Sequence, residues 1–138
     1  AEFMALSQRV TDLEKQLRWF YEMCPYYEND DAIFVHAGLV HEKPEENSIH
    51  DLIWDREMAH GRQYDGKLVI FGHTETEEVT YRRPDSTKLQ LLPGETYELP
   101  KQGCINMDTG CVYGQKLSAL VIENGTIRVY QQNRKSQK

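Results

Sequence analysis

Two short apolar runs, each ending beside a glycine and a histidine, restrict the fold of this chain more than any other feature. Residues 32–35 lead into His36, and residues 68–71 lead into Gly72 and His73. Continuous apolar runs of this length are typical of buried strands. Because strand ends converge in space in α/β proteins, we expect the two histidines to lie close together.

Two imidazoles at the ends of neighbouring strands are a candidate metal site, and the adjacent glycines leave room for an ion. A single histidine beside a strand is more often an ordinary hydrogen-bonded residue than a ligand. The pair alone therefore leaves both interpretations open, and the surrounding sequence has to decide between them.

An amphipathic helix precedes the first strand. Its apolar residues recur at alternating spacings of four and three: Leu6, Val10, Leu13, Leu17 and Phe20. Ser7 or Thr11 is a candidate cap for its start, and Pro25 ends it because proline disfavours helical geometry in the residue before it. We expect the apolar stripe to pack on the core of its own domain, with dimerisation through it as the alternative.

The later part of the chain mixes helix and strand signals. Ser48 and Asp51 form a capping-box pattern at the start of a helix over residues 49–58. The further candidate strands are residues 79–82, 88–92, 105–107, 117–123 and 126–131. The first two form a hairpin or flap within residues 75–102, and the last two form a hairpin across Asn124-Gly125. The predicted class is α/β (α+β), a mixed β-sheet with flanking helices.

Composition and charge narrow the class of protein. The 138 residues suffice for one domain, and the apolar runs are too short to span a bilayer, so we expect a soluble protein with no membrane partner. A net charge of −6 argues against nucleic acid as a partner. Cys24, Cys104 and Cys111 form an odd set without zinc-type spacing, which favours free thiols in a cytoplasmic protein; a disulfide between the last two is the alternative.

Four segments in a fixed order make the interpretation specific. They are residues 34–39 with His-Ala-Gly, 52–57 with Trp-x-Arg, 69–74 with Gly-His-Thr and 105–114 with Asp-Thr-Gly. In this order and at these separations they resemble the C-terminal half of the phosphoprotein phosphatase family, the bacterial Ser/Thr protein phosphatases of the calcineurin-like metallophosphoesterase type. The similarity covers residues 17–131.

The resemblance implies roles for individual residues. His36 and His73 correspond to ligands of a dinuclear centre, for which manganese, iron or zinc is suitable. Arg56 corresponds to the arginine that binds the substrate phosphate, and its planar guanidinium can hold two phosphate oxygens. The alternative for Arg56 is an exposed helix residue paired with a neighbouring carboxylate. Asp108 resembles a turn residue of the family, not a ligand.

The same resemblance shows what the chain lacks. The family's Gly-Asp-x-His-Gly, Gly-Asp-x-x-Asp-Arg-Gly and Gly-Asn-His-Glu motifs, which supply the other ligands, a second arginine and the general acid, do not occur here. Two histidines cannot hold two such ions, so we expect the chain alone to be inactive. Its expected partner is the missing N-terminal half, or a second copy, and the completed enzyme would act on a phosphoprotein.

On this interpretation residues 1–3 are a cloning remnant, residues 4–131 are a partial metallophosphatase domain and residues 132–138 are a disordered tail. In the family two sheets pack face to face, and we expect this chain to contribute mainly one of them. Two other functions remain open. The chain is either a non-enzymatic binding or assembly module built on half of the fold, or part of a diadenosine-polyphosphate hydrolase, since such enzymes share the metal core.

Overall fold

The computed structural model describes residues 2–134, which form three α-helices and nine β-strands. The helices are α1 (Glu2–Glu22), α2 (Ile49–Trp54) and α3 (Glu57–His60). The strands are β1 (Tyr26–Glu28), β2 (Ile33–Val35), β3 (Val69–Phe71), β4 (Thr80–Arg82), β5 (Lys88–Gln90), β6 (Thr96–Glu98), β7 (Cys104–Asn106), β8 (Lys116–Glu123) and β9 (Thr126–Asn133).

A six-stranded mixed sheet forms the centre of the molecule, with the strand order β1-β2-β3-β7-β4-β5. β2, β3 and β7 are parallel, and the remaining neighbours are antiparallel. The two apolar runs of the sequence are therefore adjacent parallel strands, with Ile33 opposite Val69. Both were correctly predicted as buried strands, since all three residues of β3 are buried and two of the three in β2 are.

Side chains of the central strands alternate between two cores. On one face Val69 and its neighbours pack with Leu52 of α2 and Met58 of α3. On the other face Ile70 packs with Ile127 of a three-stranded sheet, whose order is β6-β9-β8. The chain thus has a helix layer, a six-stranded sheet and a three-stranded sheet, which confirms the predicted mixed sheet with flanking helices.

The second sheet is larger than the sequence led us to expect. We expected the chain to contribute mainly one sheet, but it forms six strands of one sheet and three of another. The smaller sheet stops short of β1 and β2, so Tyr27 stays exposed, with its ring against the half-buried Phe34. An open groove of about 560 Å³ lies there, lined on its far side by Leu117 of β8.

The predicted helix over residues 49–58 is interrupted. Its start was predicted correctly, because Ser48 and Asp51 form the capping box. At Asp55 the backbone leaves helical geometry with ψ 134°, and its carboxylate accepts a hydrogen bond from the Met58 amide at the start of α3. The same carboxylate pairs with Arg62 at 2.8 Å. Local capping by Asp55 therefore divides one predicted helix into two short ones.

Helix α1 does not follow the expectation drawn from its apolar stripe. It already begins at Glu2, so Ser7 and Thr11 lie inside the helix, and the Thr11 hydroxyl donates to the Ser7 carbonyl oxygen instead of capping. Val10 and Leu17 are about half exposed, at 50% and 47%. The prediction that the stripe packs on the core of this chain was wrong within the described residues.

The C-terminal half matches the predicted hairpins closely. β4 pairs with β5, and β8 pairs with β9 across Asn124-Gly125. β6, which pairs with β9, was not predicted. β9 extends two residues beyond the predicted end at residue 131, and residues 135–138 of the predicted tail lie outside the described residues.

The cysteines and the hydropathy of the helices relate to the predicted cellular location. Cys24, Cys104 and Cys111 are free, so the alternative of a disulfide between the last two is not observed. Among residues 2–134 no helix is long and apolar enough to cross a membrane. A cytoplasmic location stays a prediction.

The residues between the two sheets are buried, whereas the apolar stripe of α1 is exposed, and unfolding experiments can test this difference. Ile127 has no exposed surface between the sheets, so Ile127→Ala should lower the free energy of unfolding by about 2–5 kcal/mol through the cavity it leaves. Val10→Ser on the exposed face of α1 is the matched control and should change it by less than about 0.5 kcal/mol. Urea unfolding followed by circular dichroism measures both, and a large loss for Val10→Ser would mean that α1 is packed.

Candidate metal and phosphate site

The parallel pairing of β2 and β3 brings His36 and His73 together. Each histidine follows the carboxyl end of its strand, and the Gly72 amide donates to the His36 carbonyl oxygen at 2.9 Å, which ties the two strand ends to each other. His36 Nε2 lies 3.1 Å from His73 Nδ1, and the ring centroids are 5.0 Å apart. The predicted proximity of the two histidines is therefore present in the structure.

His73 is held in an unusual backbone conformation. Its φ is +67°, in the left-handed region that non-glycine residues rarely adopt. The Thr74 amide donates across it to the Gly72 carbonyl oxygen at 2.8 Å, which closes a three-residue γ-turn. Conformations of this kind cost about 1–3 kcal/mol and concentrate at functional sites. The turn aims the His73 ring at His36 instead of along the strand.

The protonation state of His73 suits a ligand. Burial lowers its pKa below the usual value for histidine, and the nearby His36 and Arg56 lower the pKa further, while Asp108 opposes them. The imidazole is therefore neutral at pH 7 and can bind an ion without first losing a proton. Its Nε2 is buried without a hydrogen-bond partner in the part of the chain described, so no described group fixes the tautomer from behind.

The residues present fit one edge of a metal site but not a whole one. His36 Nε2 and His73 Nδ1 are within hydrogen-bond distance of each other, at 3.1 Å, and two facing imidazole nitrogens are donors of the kind that borderline ions take. In residues 2–134 no group of three or more His, Cys, Asp or Glu side chains could hold an ion. If His36 and His73 are ligands, as predicted, any further ligand has to come from outside the described residues.

Arg56 lies beside this pair, at the junction between α2 and α3. It is the residue just before α3, is exposed and makes no side-chain cap. Among the described residues its side chain has no ion pair, because Asp55 pairs with Arg62 and Glu57 has no salt bridge. The alternative that Arg56 is neutralised by a neighbouring carboxylate is therefore not observed. Its role in binding phosphate stays a prediction.

Trp54 was not expected to contribute, yet it contacts the site. Its ring meets the His73 ring edge-on, with centroids 5.5 Å apart and an interplanar angle of 87°. The ring is 56% exposed although it is large and apolar. Trp54 therefore buttresses one side of the histidine pair, two residues from Arg56. The only sequence signal for it was its place in the Trp-x-Arg segment.

Two small or polar residues complete the geometry. A Cβ at Gly38 would lie 2.8 Å from Asp55 Oδ2 and 3.0 Å from Met58 Cβ, so the chain after His36 passes too close to the helix layer for any side chain. Asp108 accepts a hydrogen bond from the Gly110 amide at 2.9 Å, in agreement with a turn residue. The sequence correctly flagged both residues but could not show how close Gly38 lies to Asp55.

The histidine pair opens into the groove between the two sheets. His36, His73 and Asp108 line one end of it, and Tyr27 and Leu117 line its apolar remainder. The site therefore adjoins the part of the sandwich that the three-stranded sheet leaves uncovered.

Comparison with known proteins agrees with this fold. No family model matches the chain, and a search of curated proteins gives no match. The chain is similar to a crystal structure of a metallophosphoesterase from Sphaerobacter thermophilus, with a TM-score of 0.60 and 16% sequence identity. The match covers 88% of this chain and 53% of the other, so the chain spans about half the length of that protein. At this identity the likeness shows the fold, which is metallophosphoesterase-like.

The two histidines should act together in binding an ion. His36→Ala and His73→Ala should each weaken zinc binding by at least about tenfold, because either change leaves a single imidazole. His41→Ala, which removes an exposed histidine from a loop outside the groove, is the control and should leave the affinity unchanged. Isothermal titration of each variant with zinc and with manganese measures this. Equal losses in all three variants would show that binding is not at the pair.

Proposed function

We propose that this chain forms part of a metal-dependent phosphoric-ester hydrolase that acts on phosphoserine and phosphothreonine in proteins. The observation that carries the proposal is the pair of strand-end imidazoles, 3.1 Å apart between His36 Nε2 and His73 Nδ1, in a metallophosphoesterase-like fold. The free Arg56 beside them adds a phosphate-binding group. A dinuclear manganese, iron or zinc centre suits these borderline ligands.

Each residue has one task in this proposal. His36 and His73 hold one ion of the centre, which when bound supplies Lewis-acid activation of the phosphoryl oxygen and of a water molecule. Arg56 binds two phosphate oxygens through its planar guanidinium and stabilises charge on the transferring phosphoryl group. Trp54 restricts the His73 ring from the side, so that the imidazole is already oriented before the ion arrives.

The remaining ligands come, in this proposal, from a second polypeptide segment that seats in the groove. The described residues hold no group of three metal-binding side chains, and the groove that adjoins the histidines is lined by exposed apolar residues such as Tyr27 and Leu117. An N-terminal half with the aspartate, asparagine and histidine motifs of the phosphatases would cover that surface. The chain alone is then inactive.

Complementation tests the proposal directly. The chain should gain hydrolysis of an aryl phosphate when mixed with a separately expressed N-terminal half of a bacterial phosphatase and manganese. Arg56→Ala should lower kcat/KM by about 10²–10³, the size expected when one charge-stabilising donor is lost, while His41→Ala should have no effect. Phosphopeptide and diadenosine tetraphosphate, assayed side by side, separate the protein phosphatase from the diadenosine-polyphosphate hydrolase. No gain in activity with any substrate would refute the proposal.

A second candidate is an assembly module without enzymatic activity. The specific observation in its favour is α1, whose residues Val10, Leu13, Leu17 and Phe20 are 47–64% exposed on a helix of 21 residues. If α1 is the contact surface, Val10→Ser with Leu17→Ser should dissociate an oligomer in analytical ultracentrifugation and leave the fold intact. A monomeric parent chain, or an oligomer that the double variant does not change, removes this candidate.

A further inference from the structure

A buried arginine on the helix side of the six-stranded sheet is not used by the proposed phosphatase site. Arg82, the last residue of β4, is only 6% exposed. No carboxylate among residues 2–134 forms a salt bridge with it. Arginine stays protonated under all ordinary conditions, and buried charges in proteins are normally paired. Arg82 therefore carries a positive charge into the interior that the described residues do not neutralise.

The hydrogen bonds of Arg82 leave part of its guanidinium free. Nη2 donates to the carbonyl oxygens of Met58 and Arg62 and to Cys104 Sγ. These neutral acceptors satisfy one nitrogen but do not cancel the charge. Nε and Nη1 donate to no group in the described part of the chain, and neither is among its fully buried unpartnered atoms. Nε–H and Nη1–H lie on different edges of the planar guanidinium, so each is a separate donor without an acceptor among the described residues.

Arg82 borders a small pocket of about 150 Å³. It is about five times the volume that a water molecule occupies in the liquid, which is room for an ion of five heavy atoms. Thr74 also borders the pocket and is 9% exposed, and its Oγ1 is fully buried without a hydrogen-bond partner in the described residues. A buried hydroxyl without a partner is costly unless a ligand or water supplies one.

Charge at the pocket favours an anion. Lys88 and His60 line it together with Arg82, and Glu75 is the acidic residue of the lining. Lys88 and Glu75 are both exposed, so their charges sit at the rim and largely offset each other. The buried charge that remains is the one on Arg82. Aliphatic and thiol groups of Met58 and Cys104 form the floor, which keeps the local dielectric low and strengthens attraction for an anion.

We propose that this pocket binds a small tetrahedral oxyanion, such as inorganic phosphate or sulfate, between Arg82, Thr74 and Lys88. The Arg82 guanidinium supplies the positive charge and one N–H donor to an oxygen of such an ion. The Thr74 hydroxyl donates to a second oxygen, and the Lys88 ammonium approaches from the rim. The site is separate from the histidine pair, because His36, His73 and Arg56 are not among the residues that line it.

Titration of the metal-free chain with phosphate tests the site, with the Thr74 and Thr76 amide signals followed by nuclear magnetic resonance. Saturable shifts with a dissociation constant of about 1 mM or below are expected, which is the affinity of a few charge-assisted hydrogen bonds. Sulfate should compete for the site, whereas acetate, which lacks the tetrahedral oxygens, should compete poorly. A chelator throughout keeps any metal-dependent phosphate binding out of the measurement.

Variants assign the binding to this pocket. Thr74→Val should weaken phosphate binding by about tenfold, since it removes one hydrogen bond to a charged ligand, and Lys88→Gln by about two- to fivefold because its side chain is exposed. Arg82→Lys should abolish it, and the two milder variants serve if that chain does not fold. Lys43→Gln, which removes an exposed lysine outside the pocket, is the control matched to Lys88→Gln and should leave the affinity unchanged.

Several results would overturn the proposal. One is the absence of saturable phosphate binding to a folded chain. Another is binding that Arg56→Gln removes while Thr74→Val leaves it intact, which would place the anion at the histidine site. Equal competition by acetate would contradict the tetrahedral class of ligand. None of these outcomes depends on whether the chain, with or without a partner, hydrolyses phosphate esters.

Discussion

The parallel pairing of β2 with β3 is the constraint on which the rest of this structure depends. It sets the two strand ends side by side, and the hydrogen bond from the Gly72 amide to the His36 carbonyl oxygen fixes their offset. An antiparallel pairing of the same two strands would put the histidines at opposite ends of the sheet. The 3.1 Å contact between the imidazoles therefore depends first on the parallel pairing of the two strands and only then on the side-chain conformations.

Strand pairing also decides how much of this molecule could be predicted from sequence. The short apolar runs of β2 and β3 are clear signals, because a continuous apolar stretch of that length is typical of a buried strand in the middle of a sheet. Asn124-Gly125 predicts its hairpin equally well, since few sequences other than Asn-Gly meet the backbone demands of a tight turn. The resemblance carried by the short motifs then selected candidate site residues, and the structure brings His36, His73 and Arg56 into one region.

What sequence reasoning missed depends on contacts distant along the chain. The apolar stripe of α1 predicts burial but not where the burying surface comes from, and in the described residues none covers it. Asp55 disrupts a helix through its bond to the Met58 amide and its ion pair with Arg62, both of which need the fold to exist first. β6 has a weak alternation and is a strand because β9 lies next to it. From sequence alone Arg82 looks like an ordinary surface cation, and only the structure shows that it is buried.

The uncovered edge of β8 has a consequence for whatever joins this chain. In the described residues β8 pairs along its length with β9, and on its other side Lys116 is bridged to Gly110, so the rest of that side presents unpaired backbone donors and acceptors beside the groove. A strand added there must match both direction and register, because a slip of one residue would turn its apolar face outward. The edge would therefore accept a further strand only with a matching period-two pattern, and Leu117 of this edge lines the same groove as the histidine pair.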